Sequence, residues 1–214
     1  MTDRDLLLIT SLTAVGVLIG FVVRWRLSAL AYRHDADIGQ PHPGPRWWIP
    51  LATATASGLL AWRFGVDRWP LLLPTLPLVW FGPWLSAIDL DARRLPNRLL
   101  GVHAAFVAAG VGAAAVIAGD AVIAIQAALG GVVAFVVFWV LDRLHPGGFG
   151  WGDGKYVPTL GAATGAVSLT VAWWGFLIAC AAAVAATPLR RRRTDFPFGP
   201  WLASGAIAAA VLFG

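Results

Sequence analysis

The chain reads as long apolar runs separated by short polar breaks. Runs at Leu6–Val23, Trp47–Trp62, Pro70–Ile88, Leu99–Gly119 and Ala121–Leu141 each approach the length of a membrane span, which needs about 20 residues with a range of about 17–25. The stretch Val157–Thr187 is too long for one span. Gly161, Gly165 and Ser168 break it into a short helix near 157–167 and a full one near 168–187. A last run covers Phe198–Phe213. The pattern predicts an all-α, polytopic integral membrane helix bundle of about eight transmembrane helices. It forms a single membrane domain over 1–214, with N-terminal spans in 1–88 and a core in 89–214. The segment Met1–Asp5 lacks a net positive charge and no small-residue cleavage site follows it, so Leu6–Val23 reads as a retained helix.

Charge orients the bundle. With the N-terminus outside, the inner loops hold Arg24, Arg26, Arg33, Arg46, Arg93, Arg94, Arg98, Arg143, Lys155 and Arg190 to Arg193. The outer segments hold only Arg4, Arg63 and Arg68. Such a bias is what insertion imposes on loops facing the cytoplasm. Fusing 157–187 into one span would move the four consecutive arginines outside, so the eight-span arrangement is preferred. Trp25, Trp47, Trp48, Trp62, Trp69 and Trp151 fall at span ends, where indole rings favour the interface.

Composition agrees. Hydrophobic residues make up 58% and charged residues 13%, with mean hydropathy +0.73; a water-soluble domain carries about 25% charged residues. The net charge of +5 does not point to nucleic acid, because the basic residues sit beside apolar spans. The single cysteine, Cys180, excludes an internal disulfide and a multi-cysteine metal site. No metal and no cofactor is expected, and the partner implied by composition is the lipid bilayer.

Ionisable residues at a span are costly and mark function. Two sites qualify: Ala87-Ile88-Asp89-Leu90-Asp91 at the inner end of the third span, and Gly148-Phe149-Gly150-Trp151-Gly152-Asp153-Gly154-Lys155 just before the sixth. Both fall on one face of the membrane. Gly150 and Gly152 leave the backbone around Asp153 open to close approach. Facing carboxylates cannot easily both ionise, so they share a proton and can act as paired general acid and base. On the residues alone, Asp89 and Asp91 are equivalent candidates for the first acid. Lys155, the only lysine, is either a charge stabiliser or an interfacial anchor.

These motifs resemble a known family. Asp89 in Asp-Leu-Asp-Ala-Arg-Arg-Leu-Pro-Asn, with Pro96 seven residues on, resembles the first aspartate motif of prepilin peptidases. Gly148-x-Gly150-x-Gly152-Asp153-x-Lys155 looks like their Gly-x-Gly-Asp motif, and Leu160–Gly165 is similar to the small-residue helix after it. Pro197-Phe198-Gly199-Pro200-Trp201-Leu202-Ala203 resembles the motif that opens their last span. The resemblance implies a membrane-embedded aspartic endopeptidase of the bacterial inner membrane. It would remove leader peptides from type IV prepilin-like membrane proteins of pilus assembly or protein secretion, at the cytoplasmic face. It assigns catalysis to Asp89 and Asp153, supported by Gly150, Gly152, Lys155 and Pro96, and leaves Asp91 as a neighbour.

Bifunctional members of that family carry an N-terminal insert with two Cys-x-x-Cys pairs and methylate the new N-terminus. Here the insert shrinks to about Arg24–Arg46 without cysteine. Zinc and N-methyltransferase activity are therefore not expected, and His34, Asp35, Asp37 and His42 read as a solvated loop. Asp91, Arg93 and Arg94 also read as solvated, and His103 as a hydrogen-bonded packing residue. The rival functions are a small transporter with the two acids on a proton or cation pathway, and an inactive scaffold of a pilus or secretion system.

Overall fold

In a computed structural model, residues 1–37, 39–144, 150–186 and 197–214 are described. Gly147, Gly148 and Phe149 of the glycine frame, His145 and Arg190 to Arg193 lie outside them.

The described residues form eight α-helices: α1 (Asp3–Ser28), α2 (Trp48–Phe64), α3 (Leu72–Ala92), α4 (Asn97–Ala118), α5 (Ala121–Leu144), α6 (Trp151–Gly165), α7 (Leu169–Ala186) and α8 (Gly199–Phe213). Five of the apolar segments are long enough to cross a membrane: Asp3–Ser28, Trp69–Ala92, Asn97–Ala118, Ala121–Leu144 and Leu169–Ala186. The helices α2, α6 and α8 are shorter, at 17, 15 and 15 residues. The chain is a polytopic helical membrane protein. Its outward face carries Leu7, Leu18, Phe106, Val116, Val132 and Val184 in exposed positions, as a lipid-facing surface requires.

The sequence reading places each helix but misplaces some of their ends. The third helix runs on to Ala92, so Asp89 and Asp91 sit in its last turn. The sixth begins at Trp151 rather than near 157, so Asp153 and Lys155 lie in its first turns and not in a preceding loop. Glycine costs a helix about 1 kcal/mol relative to alanine, which is why Gly150 to Gly154 reads as loop. Tertiary packing overrides that cost.

The central helix is α3. It contacts α1, α2, α4, α6 and α8, and buries most of its length from Leu72 to Asp89. Pro77 and Pro83 lie inside it. Each removes a backbone donor, which is tolerable in a span whose neighbours surround it. Around it the chain folds into paired helices, α1 with α2, α5 with α6 and α7 with α8. The α5–α6 pair meets at glycines. A Cβ on Gly161 would overlap the Gly130 carbonyl, and one on Gly130 would overlap the Gly161 carbonyl. Bare backbones bring the two helices to contact distance, so dispersion rather than hydrophobic burial holds them in lipid.

One core cluster draws together the helix ends that carry the two acids. It includes Leu85, Leu95, Leu100, Phe138, Tyr156, Val157, Phe198 and Leu202, drawn from α3, α4, α5, α6, α8 and the segments joining them. The ends of α3, α6 and α8 are therefore packed as one unit.

Candidate active site

Asp89 belongs to the last turn of α3, and its carbonyl accepts from the Arg93 N–H at 3.0 Å. Arg93 is left-handed, with φ 53°, and ends the helix. The chain then turns through Leu95 to Pro96, which caps α4 in an extended conformation. The Pro96 carbonyl accepts from the N–H groups of Leu99 and Leu100, each at 3.0 Å. Pro96 thus starts the next helix and touches the site only through this turn.

Asp153 sits in the first turn of α6. Its carboxylate accepts the N–H of Gly150, the N-cap residue, at 3.3 Å. This is half of a capping box, with the acid at the third helical position. A Cβ on Gly152 would stand 3.1 Å from the Cβ of Leu95. Glycine there lets the α3–α4 turn press against α6.

The third contributor is α8, whose first residue is Gly199. The first N–H groups of a helix have no partner inside it. The Gly199 N–H donates to Asp89 Oδ2 at 3.0 Å. A Cβ at 199 would meet the same oxygen at 3.0 Å. Each acid is therefore held by an amide at a helix N-terminus, Asp153 by that of its own helix and Asp89 by that of α8. The positive end of the helix dipole favours an anion at that place.

The two acids come together. Both are buried, Asp89 at 6% and Asp153 at 7% exposure. Asp89 lies close enough for its charge to act on the Asp153 carboxyl.

Lys155 is placed differently. It is exposed, donates from Nζ to Asn97 Oδ1 at 2.8 Å, and lies 5.8 Å from the centre of the Trp151 ring. It brackets the starts of α6 and α4.

Asp91 is not solvated. Its carboxylate is 10% exposed and lies 2.8 Å from Arg33 and 3.5 Å from Arg46. Arg94 pairs with Asp37, which is 6% exposed. The loop read as freely solvated is tied to the α3–α4 turn, because residues far apart in the chain meet there. His103 also departs from expectation. It is fully buried, and neither ring nitrogen has a hydrogen-bond partner among the described residues. Its contacts are aromatic, with ring centres 5.4 Å from Phe81 and 5.5 Å from Tyr156. The Tyr156 hydroxyl is equally buried and has no hydrogen-bond partner among the described residues. Among the described residues no three His, Cys or Asp side chains gather as metal ligands.

Gly199 is the site residue whose role the sequence left unread. Its motif was visible as Phe198-Gly199-Pro200 opening an apolar run. A glycine followed by proline at a helix start is a signal for an exposed amide.

A bundle of membrane helices with two buried aspartates brought together at helix ends defines a polytopic membrane protein with a paired-carboxylate site. The chain belongs to the type IV leader peptidase family, whose sequence model matches residues 76–189. That range contains both acids, and membership makes the protein a peptidase by class. Neither the curated proteins nor the solved structures searched gave a match to the chain.

Proposed function

We propose that this protein is an intramembrane aspartic endopeptidase that cleaves the leader from type IV prepilin-like precursors. It works at the cytoplasmic face of the bacterial inner membrane, with its N-terminus outside. The observation that carries the reading is the convergence of Asp89 and Asp153 from two helix ends, each anchored by a helix N-terminal amide.

The chemistry follows from one shared proton. The ionised carboxylate takes a proton from water, and the water oxygen bonds to the scissile carbonyl carbon. The protonated carboxyl gives its proton to the carbonyl oxygen. In the collapse of the gem-diol, one of its hydroxyls gives its proton to the ionised member of the pair, the C–N bond breaks and the leaving nitrogen takes the proton of the other member, so the pair ends with the one proton it began with. This is general acid–base catalysis, worth about 10²–10⁴-fold per positioned group. The protons belong to the pair, so neither acid has a fixed role. Gly150 and Gly152 support the site by letting backbone approach Asp153, and Pro96 by fixing the turn after Asp89.

A groove of about 430 Å³ supports the substrate class. It lies between α2, α3 and α8, and its lining includes Trp48, Ala52, Gly82, Ser86, Ala203 and Ser204. Ser86 is one helical turn from Asp89. Small apolar walls suit a close-packed helix, here the apolar stem that follows a leader peptide.

The test is cleavage of a pilin-like precursor in membranes carrying wild type, Asp89→Asn or Asp153→Asn. Asparagine keeps the shape and removes the titrating group. Both variants should insert normally and lose cleavage. Unimpaired cleavage by either would remove that residue from the mechanism.

A further inference from the structure

Asp91 makes the densest set of polar contacts on α3, and the catalytic chemistry does not use it. At 3.6 residues per turn, Asp89 and Asp91 point about 200° apart around the helix axis. Asp89 turns inward to α8. Asp91 turns to the segment that joins α1 to α2.

That segment grips it from several directions. Arg33 donates from Nε to Asp91 Oδ2 at 2.9 Å and from Nη2 to Oδ1 at 2.8 Å, a two-pronged pairing. The Tyr32 hydroxyl donates to Oδ2. Arg46 lies 3.5 Å from the same oxygen and donates to the Tyr32 hydroxyl at 2.6 Å. Arg33 is itself held, donating to the carbonyls of Gln40 at 3.2 Å and Pro41 at 2.8 Å. Just past the helix end, Arg94 donates to the Tyr32 carbonyl at 3.1 Å and to Asp37. The residue after the second of these anchors is Leu95, which packs on Gly152 beside Asp153.

A partly buried ion network is weak evidence for stability, because desolvation offsets much of the attraction. Its value is geometric: several directional bonds fix one arrangement. This one fixes the α3–α4 turn from outside, while Gly152 and Gly199 meet it from inside.

We infer that Asp91 is a positioning residue: with Arg33, Tyr32 and Arg46 it clamps the end of α3 so that Asp89 is held against Asp153. The inference rests on the reading of Asp89 and Asp153 as the catalytic pair. A buttress of this kind matters because a displacement of about 1 Å at a reacting group can cost about 10²-fold in rate.

The experiment has a readout independent of cleavage. In the full-length protein carrying Cys180→Ala, Leu95→Cys and Gly152→Cys are introduced together and mild oxidation is followed in membranes. The Leu95 Cβ and a Cβ at 152 are 3.1 Å apart, close to the separation a disulfide spans, about 3.5–4.5 Å. The pair should cross-link readily, and Asp91→Asn and Arg33→Gln should each slow cross-linking by about tenfold. Arg33→Gln leaves Asp91 its contacts with Tyr32 and Arg46, so it serves where Asp91→Asn fails to insert. In the cysteine-free background carrying Cys180→Ala alone, Asp91→Asn should lower kcat for a pilin-like precursor with KM unchanged, and Asp91→Glu should restore part of the loss. Undiminished cross-linking in both variants would overturn the clamp, as would a rise in KM at constant kcat. Cleavage that survives Asp89→Asn would instead sink the catalytic assignment, while the cross-linking result would still report on the clamp.

Discussion

The backbone N–H of Gly199 donates to the Asp89 carboxylate across 3.0 Å, although the two residues stand 110 positions apart. This bond ties the start of the last helix to the end of the central one. It also places the positive end of α8 at the acid, which favours a negative charge there.

The first prediction tests that contact. In Gly199→Val a Cβ would stand 3.0 Å from Asp89 Oδ2, with two methyl groups beyond it. The carboxylate must move off the amide. Cleavage of a pilin-like precursor should fall by about 10–100-fold, as expected for a misplaced reacting group. The thermal midpoint should fall as well, because Gly199 is buried beside the core residues Phe198 and Leu202. A wild-type rate in this variant would show that the amide is not needed to hold Asp89.

What was legible in the sequence was the bundle. Apolar runs of 16 to 21 residues and their flanking arginines have a direct physical cause, the thickness of the hydrocarbon and the cost of moving charge across it. The acids were legible for the same reason, since charge beside a span needs an explanation. The choice between Asp89 and Asp91 came from the resemblance. The structure supplies an independent contrast: Asp91 is engaged by Arg33 and Arg46, while Asp89 meets the Gly199 amide. Pairings such as Arg33 with Asp91, 58 residues apart, leave no periodic trace. The start of α6 was hidden because Gly150, Gly152 and Gly154 argue locally for a loop. Only contact with Leu95 and Phe138 explains why glycine is placed there.

A second prediction concerns the α5–α6 contact. In Gly161→Leu the side chain has nowhere to go, because a bare Cβ would already overlap the Gly130 carbonyl. The two helices must separate along their contact. Overpacking of this kind costs about 1–3 kcal/mol, and a backbone neighbour cannot yield as a side chain does. Resistance to denaturation in detergent should drop, and Asp153 on the same helix should lose cleavage activity with it. An unchanged denaturation midpoint would mean that the pair is not closely packed in the bilayer.

The third prediction turns on a buried hydroxyl. The Tyr156 hydroxyl has no partner among the described residues, in a side chain that is fully buried. A buried polar group left unpaired costs about 1–3 kcal/mol. Tyr156→Phe removes the oxygen and keeps the ring that packs on His103. The variant should be at least as stable as the wild type, with a denaturation midpoint that is equal or higher. A clear loss of stability would reveal a hydrogen bond made by the hydroxyl in the membrane.

The last prediction is a pH dependence, located outside the spans. The Asp37 carboxyl is held below the ordinary aspartate value of 3.8, first by the backbone N–H of His34 and then by Arg94. The His34 N–H donates at 2.9 Å. A depressed value in the folded state means that the folded form binds its proton later than the unfolded one as pH falls. The stabilisation is therefore complete above the ordinary value and is lost as pH drops below it through the folded value. Between neutral pH and pH 5 the attachment of this loop to Arg94 should not change. Below about pH 4, the ordinary value for this carboxyl, the loop should loosen, read as faster proteolytic cleavage between Arg33 and Arg46 at an acid-tolerant protease site. Asp37→Asn should show the loosened pattern already at neutral pH and should flatten the acid dependence. If the wild type and Asp37→Asn are cleaved at equal rates at neutral pH, the Asp37–Arg94 pair does not hold the loop.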